Sequence, residues 1–176
     1  MKIKENNTAD CYEKNLHCFK SNTRTLKNGI ERGNCIYCNA ALVDWARVHK
    51  RNLNDVQYTI DCMLLAKNKY YYWKEEEFTT KRIEQLSKLS DSELYDKIKH
   101  RLEKSVAKPK SEIYRDGMQT ANDDNPIHLA QHAIGACCRK CILIWHDIDV
   151  EQYLTEENFD YLTRLMQIYI YQKSVI

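Results

Sequence analysis

Two cysteine pairs of identical spacing constrain this chain more than any other feature. Cys35 and Cys38 form the first pair, and Cys138 and Cys141 form the second pair a hundred residues further on. Two intervening residues let both sulfurs of a pair turn toward one ion, and tetrahedral zinc takes four such ligands at about 2.3 Å. The sequence therefore predicts one Zn²⁺ ion that joins the two pairs as a tertiary staple.

The ligand set and the metal both have alternatives. Cys137 can replace Cys138, and a histidine can replace a cysteine. Three neighbouring cysteines with a remote fourth can also hold an iron–sulfur cluster, and a CxxC unit can act as a thiol redox pair. The histidines that we consider as alternate ligands are His49, His132 and His146.

The start of the chain bears on how its eight cysteines are interpreted. It is polar and lacks the apolar stretch of a secretory signal, and no run of about 18 apolar residues follows. We therefore expect a cytoplasmic protein without a membrane partner, in which paired cysteines bind metal or exchange electrons. The remaining thiols are interpreted as small buried hydrophobic residues. They are Cys11, Cys18 and Cys62.

Few chain breakers interrupt the sequence, which has only four glycines and two prolines among 176 residues. Long helices are expected from such a composition, and the predicted fold class is mainly α. We expect residues 1–34 to form an irregular N-terminal arm and residues 35–176 to form one compact helical domain stapled by the zinc site. Oligomeric state is not predicted.

Local signals place the helices. Apolar spacings of three and four predict a helix over residues 44–73. A capping box follows at Ser90, and Thr80 is expected to cap a helix before it. Pro126 begins a stretch that is apolar on nearly every face, which predicts a continuous central helix over residues 126–148. Thr155 is expected to cap the last helix, with Phe159, Leu162, Leu165, Met166, Tyr169 and Ile170 turned inward.

A second group of residues suggests catalysis. The loop segment that follows residue 105 combines an acid, a base and an amide beside a glycine, an arrangement common in active-site loops. With two histidines near the cysteines, a zinc-bound hydroxide becomes available if one coordination position holds water. The catalytic candidates are Arg115, Asp116, Gln119, His132 and His146.

Charge gives no global preference for a partner, because the net charge is +2. A local basic stretch could face a phosphate backbone, and the aromatic run at residues 70–73 could stack bases or contact a protein. The basic residues are Lys97, Lys99, His100, Arg101, Lys104, Lys108 and Lys110, joined by Arg139 and Lys140.

Three segments of the second half resemble a known family. They are RDGMQT (Arg115–Thr120), NPIHLAQHAIGACCRKCILIWHDI (Asn125–Ile148) and LTEENFDYL (Leu154–Leu162). They are similar to bacterial and phage-associated proteins that share the domain of unknown function DUF4186, and the segment at residues 33–51 is similar to an upstream part of longer relatives. The resemblance implies the metal site and a prokaryotic or phage setting, with a place in phage–host conflict.

Three functions are compatible with these features. The favoured hypothesis is a zinc-binding accessory protein that engages nucleic acid or a protein partner, because four cysteine ligands leave no open coordination position. A metal-dependent hydrolase or nuclease acting on nucleic acid is the first alternative. An iron–sulfur or thiol redox sensor is the second.

Overall fold

The computed structural model describes residues 8–19, 29–74 and 84–174, and within these ranges the chain is mainly helical, as predicted. The α-helices within the described ranges include α1 (Thr8–Glu13), α2 (Trp45–Val48), α3 (Val56–Leu65), α4 (Lys67–Lys74), α5 (Asp91–Val106), α6 (Pro126–Ala133), α7 (Arg139–His146) and α8 (Glu156–Ser174). Short 3-10 turns form at Leu53–Asp55 and Lys110–Glu112. The predicted cap at Thr80 lies outside the described residues.

The chain forms two compact units, Met1–Tyr71 and Tyr72–Ile176. This division differs from the predicted boundary after residue 34. Residues of the expected arm are buried in the first unit, among them Leu16 and Phe19. His17 forms a parallel bridge with Ala66, in which its backbone N–H donates to the carbonyl of Leu65 at 2.7 Å. The end of α1 and the segment after it are therefore part of a folded unit.

The predicted helix over residues 44–73 is interrupted. Asp44 caps α2 through its side chain, which accepts from the N–H of Arg47, and Asn52 accepts likewise from Asn54 at the start of the 3-10 turn. Ala66 then adopts extended backbone geometry between α3 and α4. Side chains of Ser, Asp and Asn that bond nearby backbone groups favour such helix starts over continuous helix.

Helix α8 lies at the core of the second unit and packs against α5 and α6. The six apolar residues expected to face inward along α8 are all buried. Thr155 caps the helix as predicted, since its hydroxyl accepts from the N–H of Asn158 at 3.2 Å. The capping box is also confirmed: Ser90 and Glu93 exchange side-chain to backbone hydrogen bonds at the start of α5.

The continuous central helix predicted over residues 126–148 is wrong. Pro126 does begin a helix, but α6 ends at Ala133, and five residues separate it from α7. We call residues 134–138 the cysteine loop. Gly135 reverses the chain there with φ +77°, a backbone conformation that glycine adopts without steric cost. The apolar composition on every face correctly predicts that this stretch is buried. It does not predict the interruption between α6 and α7.

Among the described residues, no helix combines the length and apolar character required to cross a bilayer.

Candidate metal centres

The first cluster of potential ligands belongs to the first unit and consists of Cys11, His17, Cys35 and Cys38. One ligand atom from each residue lies within 4.8 Å of the other three. Helix α1 supplies the first cysteine, the bridge to Ala66 positions the histidine, and a tight turn presents the CxxC pair. Such a group could hold a metal ion.

Two distances within the first cluster match a tetrahedral zinc site. The sulfur atoms of Cys11 and Cys35 are 3.7 Å apart, and Cys38 Sγ lies 3.5 Å from His17 Nδ1. Zinc bonds of about 2.3 Å to sulfur and about 2.05 Å to nitrogen place two tetrahedral sulfurs about 3.8 Å apart and a sulfur and a nitrogen about 3.5 Å apart. These two distances therefore match the spacing around one central ion, and the remaining ligand atoms lie within 4.8 Å of one another.

A tight turn holds the CxxC pair in place. The N–H of Asn39 donates to the carbonyl of Cys35 at 2.8 Å, and the N–H of Cys35 donates to the carbonyl of Ala40 at 3.0 Å. Asn39 has φ +58°, a left-handed conformation that asparagine tolerates better than most residues. The N–H of Ile36 donates to the carbonyl of Cys18, which fixes the turn beside the segment that carries His17.

His17 is oriented by a second hydrogen bond. Its Nε2 lies 3.0 Å from Oδ1 of Asn15, so an Nε2–H donor to this oxygen leaves Nδ1 as the basic nitrogen that faces Cys38. Metal-binding histidines commonly use such a partner to fix the ring and its tautomer. The imidazole is only 5% exposed, which keeps this arrangement away from bulk water.

The electrostatics of the cluster favour one thiolate. Burial acts to raise the pKa of Cys35, but backbone N–H groups of Cys18, Cys38 and Tyr37, together with His17, bring it down to about 6. Burial and the neighbouring Cys35 raise the pKa of Cys11 to about 12. Cys35 is thus the thiol prepared to bind a cation, while Cys11 at neutral pH releases its proton to water only when a cation binds its sulfur.

The second cluster belongs to the second unit and consists of Cys137, Cys138 and Cys141, whose sulfur atoms also lie within 4.8 Å of one another. Cys138 is the N-cap residue of α7 and has extended backbone geometry, whereas Cys141 lies in the first turn. Cys137 acts to lower the pKa of Cys138, but Cys141 and burial outweigh this effect and raise it. The structure describes all eight cysteines, and none of them is joined in a disulfide.

Polar side chains fix the backbone of the cysteine loop. Buried His146 bonds the carbonyl of Ile134 through Nε2 at 2.8 Å, and buried Gln131 donates to the carbonyl of Ala136 at 3.3 Å. The hydroxyl of Thr120 donates to the carbonyl of Cys137 at 3.0 Å. Side chains thus bond three of the four carbonyls that precede Cys138 in the cysteine loop, those of Ile134, Ala136 and Cys137.

Asp116 caps α7 from a distant part of the sequence. Its carboxylate accepts from the backbone N–H of Arg139 at 2.9 Å and from that of Lys140 at 3.3 Å. A carboxylate at this position satisfies open N–H groups of the first turn and complements the helix dipole. The residue proposed as catalytic therefore has a role in positioning the second CxxC pair.

The other catalytic candidates also make loop-forming contacts. Gln119 donates to the carbonyls of Tyr114 and Arg115 at 3.0 Å and accepts from the N–H of Gly117. The Arg115 guanidinium lies 5.0 Å from the ring centre of Tyr114, and His132 Nε2 lies 3.1 Å from the carbonyl of Ala121. Within the described ranges, neither cluster includes any of the five catalytic candidates.

The predicted ligands fall into the two clusters. Cys35 and Cys38 meet Cys11 and His17, and Cys138 and Cys141 meet the predicted alternate Cys137. The single ion joining both pairs stays a prediction. His49 instead pairs its ring with that of Trp45, with centroids 5.4 Å apart.

Sequence reasoning missed Cys11 and His17 as possible ligands. Cys11 was assigned to the buried hydrophobic thiols, and His17 lies in the stretch interpreted as an irregular arm. One signal was present: a cysteine and a histidine six positions apart stand in a polar segment that has few other reasons to be buried. Tertiary contacts position that segment: His17 bridges to Ala66, and the carbonyl of Cys18 accepts from the N–H of Ile36 in the CxxC turn.

Fold and sites together define a mainly helical protein with cysteine and histidine clusters that could hold metal ions. Residues 68–171, more than half of the chain, match the domain of unknown function DUF4186, and the chain belongs to this family. No solved structure matches it. The second cluster lies inside the matched range, whereas the first cluster precedes it.

Proposed function

We propose that the protein is a zinc-binding accessory protein in which Cys11, His17, Cys35 and Cys38 hold one structural Zn²⁺ ion. The observation that carries this proposal is the tetrahedral spacing in the first cluster, 3.7 Å between two sulfurs and 3.5 Å between a sulfur and an imidazole nitrogen. Four protein ligands fill the coordination sphere of zinc and leave no position for a substrate.

The same spacing disfavours an iron–sulfur cluster at this site. Two sulfurs bound to one ion are at most about 4.6 Å apart, which is twice the bond length. The ligand atoms of the first cluster lie within 4.8 Å of one another, so they suit a single ion. A cluster of several irons spreads its cysteine ligands further apart.

For the partner, we propose nucleic acid, contacted by the basic side of α5. Lys97, Lys104 and Lys108 are exposed and follow one another at spacings of seven and four, which places them on one side of the helix and its end. Other members of the basic stretch are engaged: Lys99 pairs with Glu156 at 2.6 Å. The suggestion that Arg139 faces phosphate is wrong, because its side chain is fully buried.

Metal content tests the zinc site. We expect one zinc per first cluster in protein purified without added metal, and loss of that ion in a Cys38→Ser variant. Cys62→Ala is the matched control, since Cys62 is a buried cysteine of the same unit outside the cluster. Replacement by Co²⁺ should give the intense visible absorption of tetrahedral thiolate coordination. Iron with a brown colour, or a zinc content in Cys38→Ser equal to that of the wild type, would contradict the proposal.

Salt dependence tests the partner. The triple variant Lys97→Glu, Lys104→Glu, Lys108→Glu should bind a fluorescent oligonucleotide at least about tenfold more weakly than the wild type. Its affinity should also depend less steeply on salt concentration, because a protein that makes fewer phosphate contacts releases fewer counterions on binding. Lys14→Glu, Lys50→Glu and Lys88→Glu together form the control of equal charge. Equal weakening by both triple variants would indicate only a net-charge effect and would remove nucleic acid as the partner.

A further inference from the structure

We propose that Cys137, Cys138 and Cys141 form a second metal site, independent of the first, which binds a soft thiophilic cation through three thiolates and leaves one coordination position to an external ligand. This site supplies what the first site lacks, an exchangeable ion. Its existence does not depend on zinc in the first cluster.

The geometry of the three thiols supports a single ion. Their sulfur atoms all lie within 4.8 Å of one another, and three sulfurs this close together can bind one ion at about 2.3 Å each with little or no rearrangement. The backbone holds Cys138 at the N-cap of α7 and Cys141 in the first turn of the same helix.

Three side chains form hydrogen bonds to the loop that carries these thiols. Gln131 and His146 are fully buried, and burying such polar side chains is unfavourable unless their hydrogen bonds are made. Both side chains, and that of Thr120, form a hydrogen bond to a backbone carbonyl of the cysteine loop. Polar residues that hold ligand-bearing backbone are typical of metal sites, where they fix the ligands before the ion arrives.

Charge and access suit a soft cation. Thiolates prefer ions such as Zn²⁺ and Cu⁺ over hard cations, and the positive end of a helix dipole stabilises their negative charge. On binding, each thiol transfers its proton to water and its sulfur donates an electron pair to the ion. Cys137 is only half-buried, so the ion has a route to solvent and a place for a fourth ligand.

Three protein ligands distinguish this site chemically from the first. A filled tetrahedral sphere is typical of structural zinc, whereas three ligands and an open position are typical of ions that exchange or bind an external ligand. Among the described residues, the second cluster contains no fourth histidine, cysteine or carboxylate ligand. The external ligand is therefore water or a small anion or thiol.

Cadmium is a suitable probe, because it is soft and its ¹¹³Cd resonance reports the number of sulfur ligands. We expect metal-free, reduced protein to bind two Cd²⁺ ions and to give two resonances. Cys137→Ser should remove one resonance and Cys38→Ser the other. Cys62→Ala should retain both. An unchanged helical circular dichroism spectrum and a cooperative thermal transition of Cys137→Ser serve as its folding control.

A variant-free measurement accompanies this titration. Alkylation of the wild-type protein, read by mass spectrometry, should show Cys137, Cys138 and Cys141 protected when Cd²⁺ is bound. Protection of the first cluster alone would overturn the second site. A single resonance lost in both Cys38→Ser and Cys138→Ser would overturn it as well, in favour of one ion shared by both pairs. Two ions, each lost separately, would establish it.

Discussion

Gly135 lies directly against the indole ring of Trp145. A Cβ atom on this glycine would come within 2.6 Å of Cδ1 of the tryptophan, which is shorter than van der Waals contact allows. Gly135 also has φ +77°, so two independent constraints favour glycine at the turn that introduces the cysteines. The indole ring of Trp145 in α7 thus packs against Gly135 in the cysteine loop.

Replacement of Gly135 by alanine should destabilise the protein by about 2–4 kcal/mol, the sum of a left-handed backbone and an overpacked contact. Gly117→Ala is the control, because Gly117 also has positive φ but has no atom within 4 Å of an added Cβ. Urea denaturation measures both. Equal losses in the two variants would mean that contact with Trp145 carries no cost.

Asn15 is expected to tune the first cluster without being a ligand. Asn15→Gly removes the acceptor of His17 Nε2 but permits the positive φ of +53° at this position. Loss of such a partner typically weakens metal affinity by about 10- to 100-fold. Competition with a chromophoric chelator measures this change. Asn39→Gly, which preserves a similar backbone conformation away from His17, should bind zinc nearly as well as the wild type.

Stability of the metal-free protein should depend on Cys35. Its folded pKa of about 6 lies below its ordinary value of 9.0, so its contribution is complete above pH 9 and is lost as the pH falls toward 6. The raised pKa of Cys11 acts in the opposite range, since its contribution is complete below pH 9 and is lost toward pH 12.

Urea denaturation with chelator and reductant at several pH values tests this expectation. The free energy of unfolding should rise between pH 6 and 9, and the difference between wild type and Cys35→Ser should grow over the same range. A difference that stays constant with pH would show that Cys35 is protonated in the folded protein at neutral pH.

Arg139 should be far more important for stability than its exposed neighbour. Its guanidinium donates to the carbonyls of Val106, Asp149 and Gln152. Lysine offers one compact ammonium group in place of this planar fork, so Arg139→Lys should cost about 2–4 kcal/mol by leaving some of these carbonyls without their donor. Lys140→Ala should change the thermal midpoint little. Comparable midpoints for both variants would contradict this role.

Local chemistry made several elements predictable. The capping box at Ser90, the helix start at Pro126 and the buried face of α8 each depend on a few neighbouring residues. The break after Ala133 was missed because burial alone does not distinguish one helix from two. Gly135 was its one local signal, and an isolated glycine within a helical pattern is often tolerated.

The sequence predicts which kind of ligand the candidate sites use, but not all of the residues that form each site. Spacing identified both CxxC pairs as potential ligands, because that property is local. Cys11 and His17 reach the first pair through tertiary structure, which a single sequence does not report. The polar residues around the second pair illustrate the same limit: Asp116 looks catalytic in sequence, yet its carboxylate and the Thr120 hydroxyl hold backbone groups near Cys137.

The spacing of the ligands along the chain has a consequence for the order in which metals are loaded. Cys137, Cys138 and Cys141 fall within five consecutive residues, so a nascent or unfolded chain can already capture a soft ion there. Cys11 and Cys35 are separated by 24 positions, and their site exists only after the chain has closed on itself. When zinc is limiting during synthesis, these three neighbouring thiols would therefore bind the available ions first. The first site would bind its ion only in molecules that have already folded.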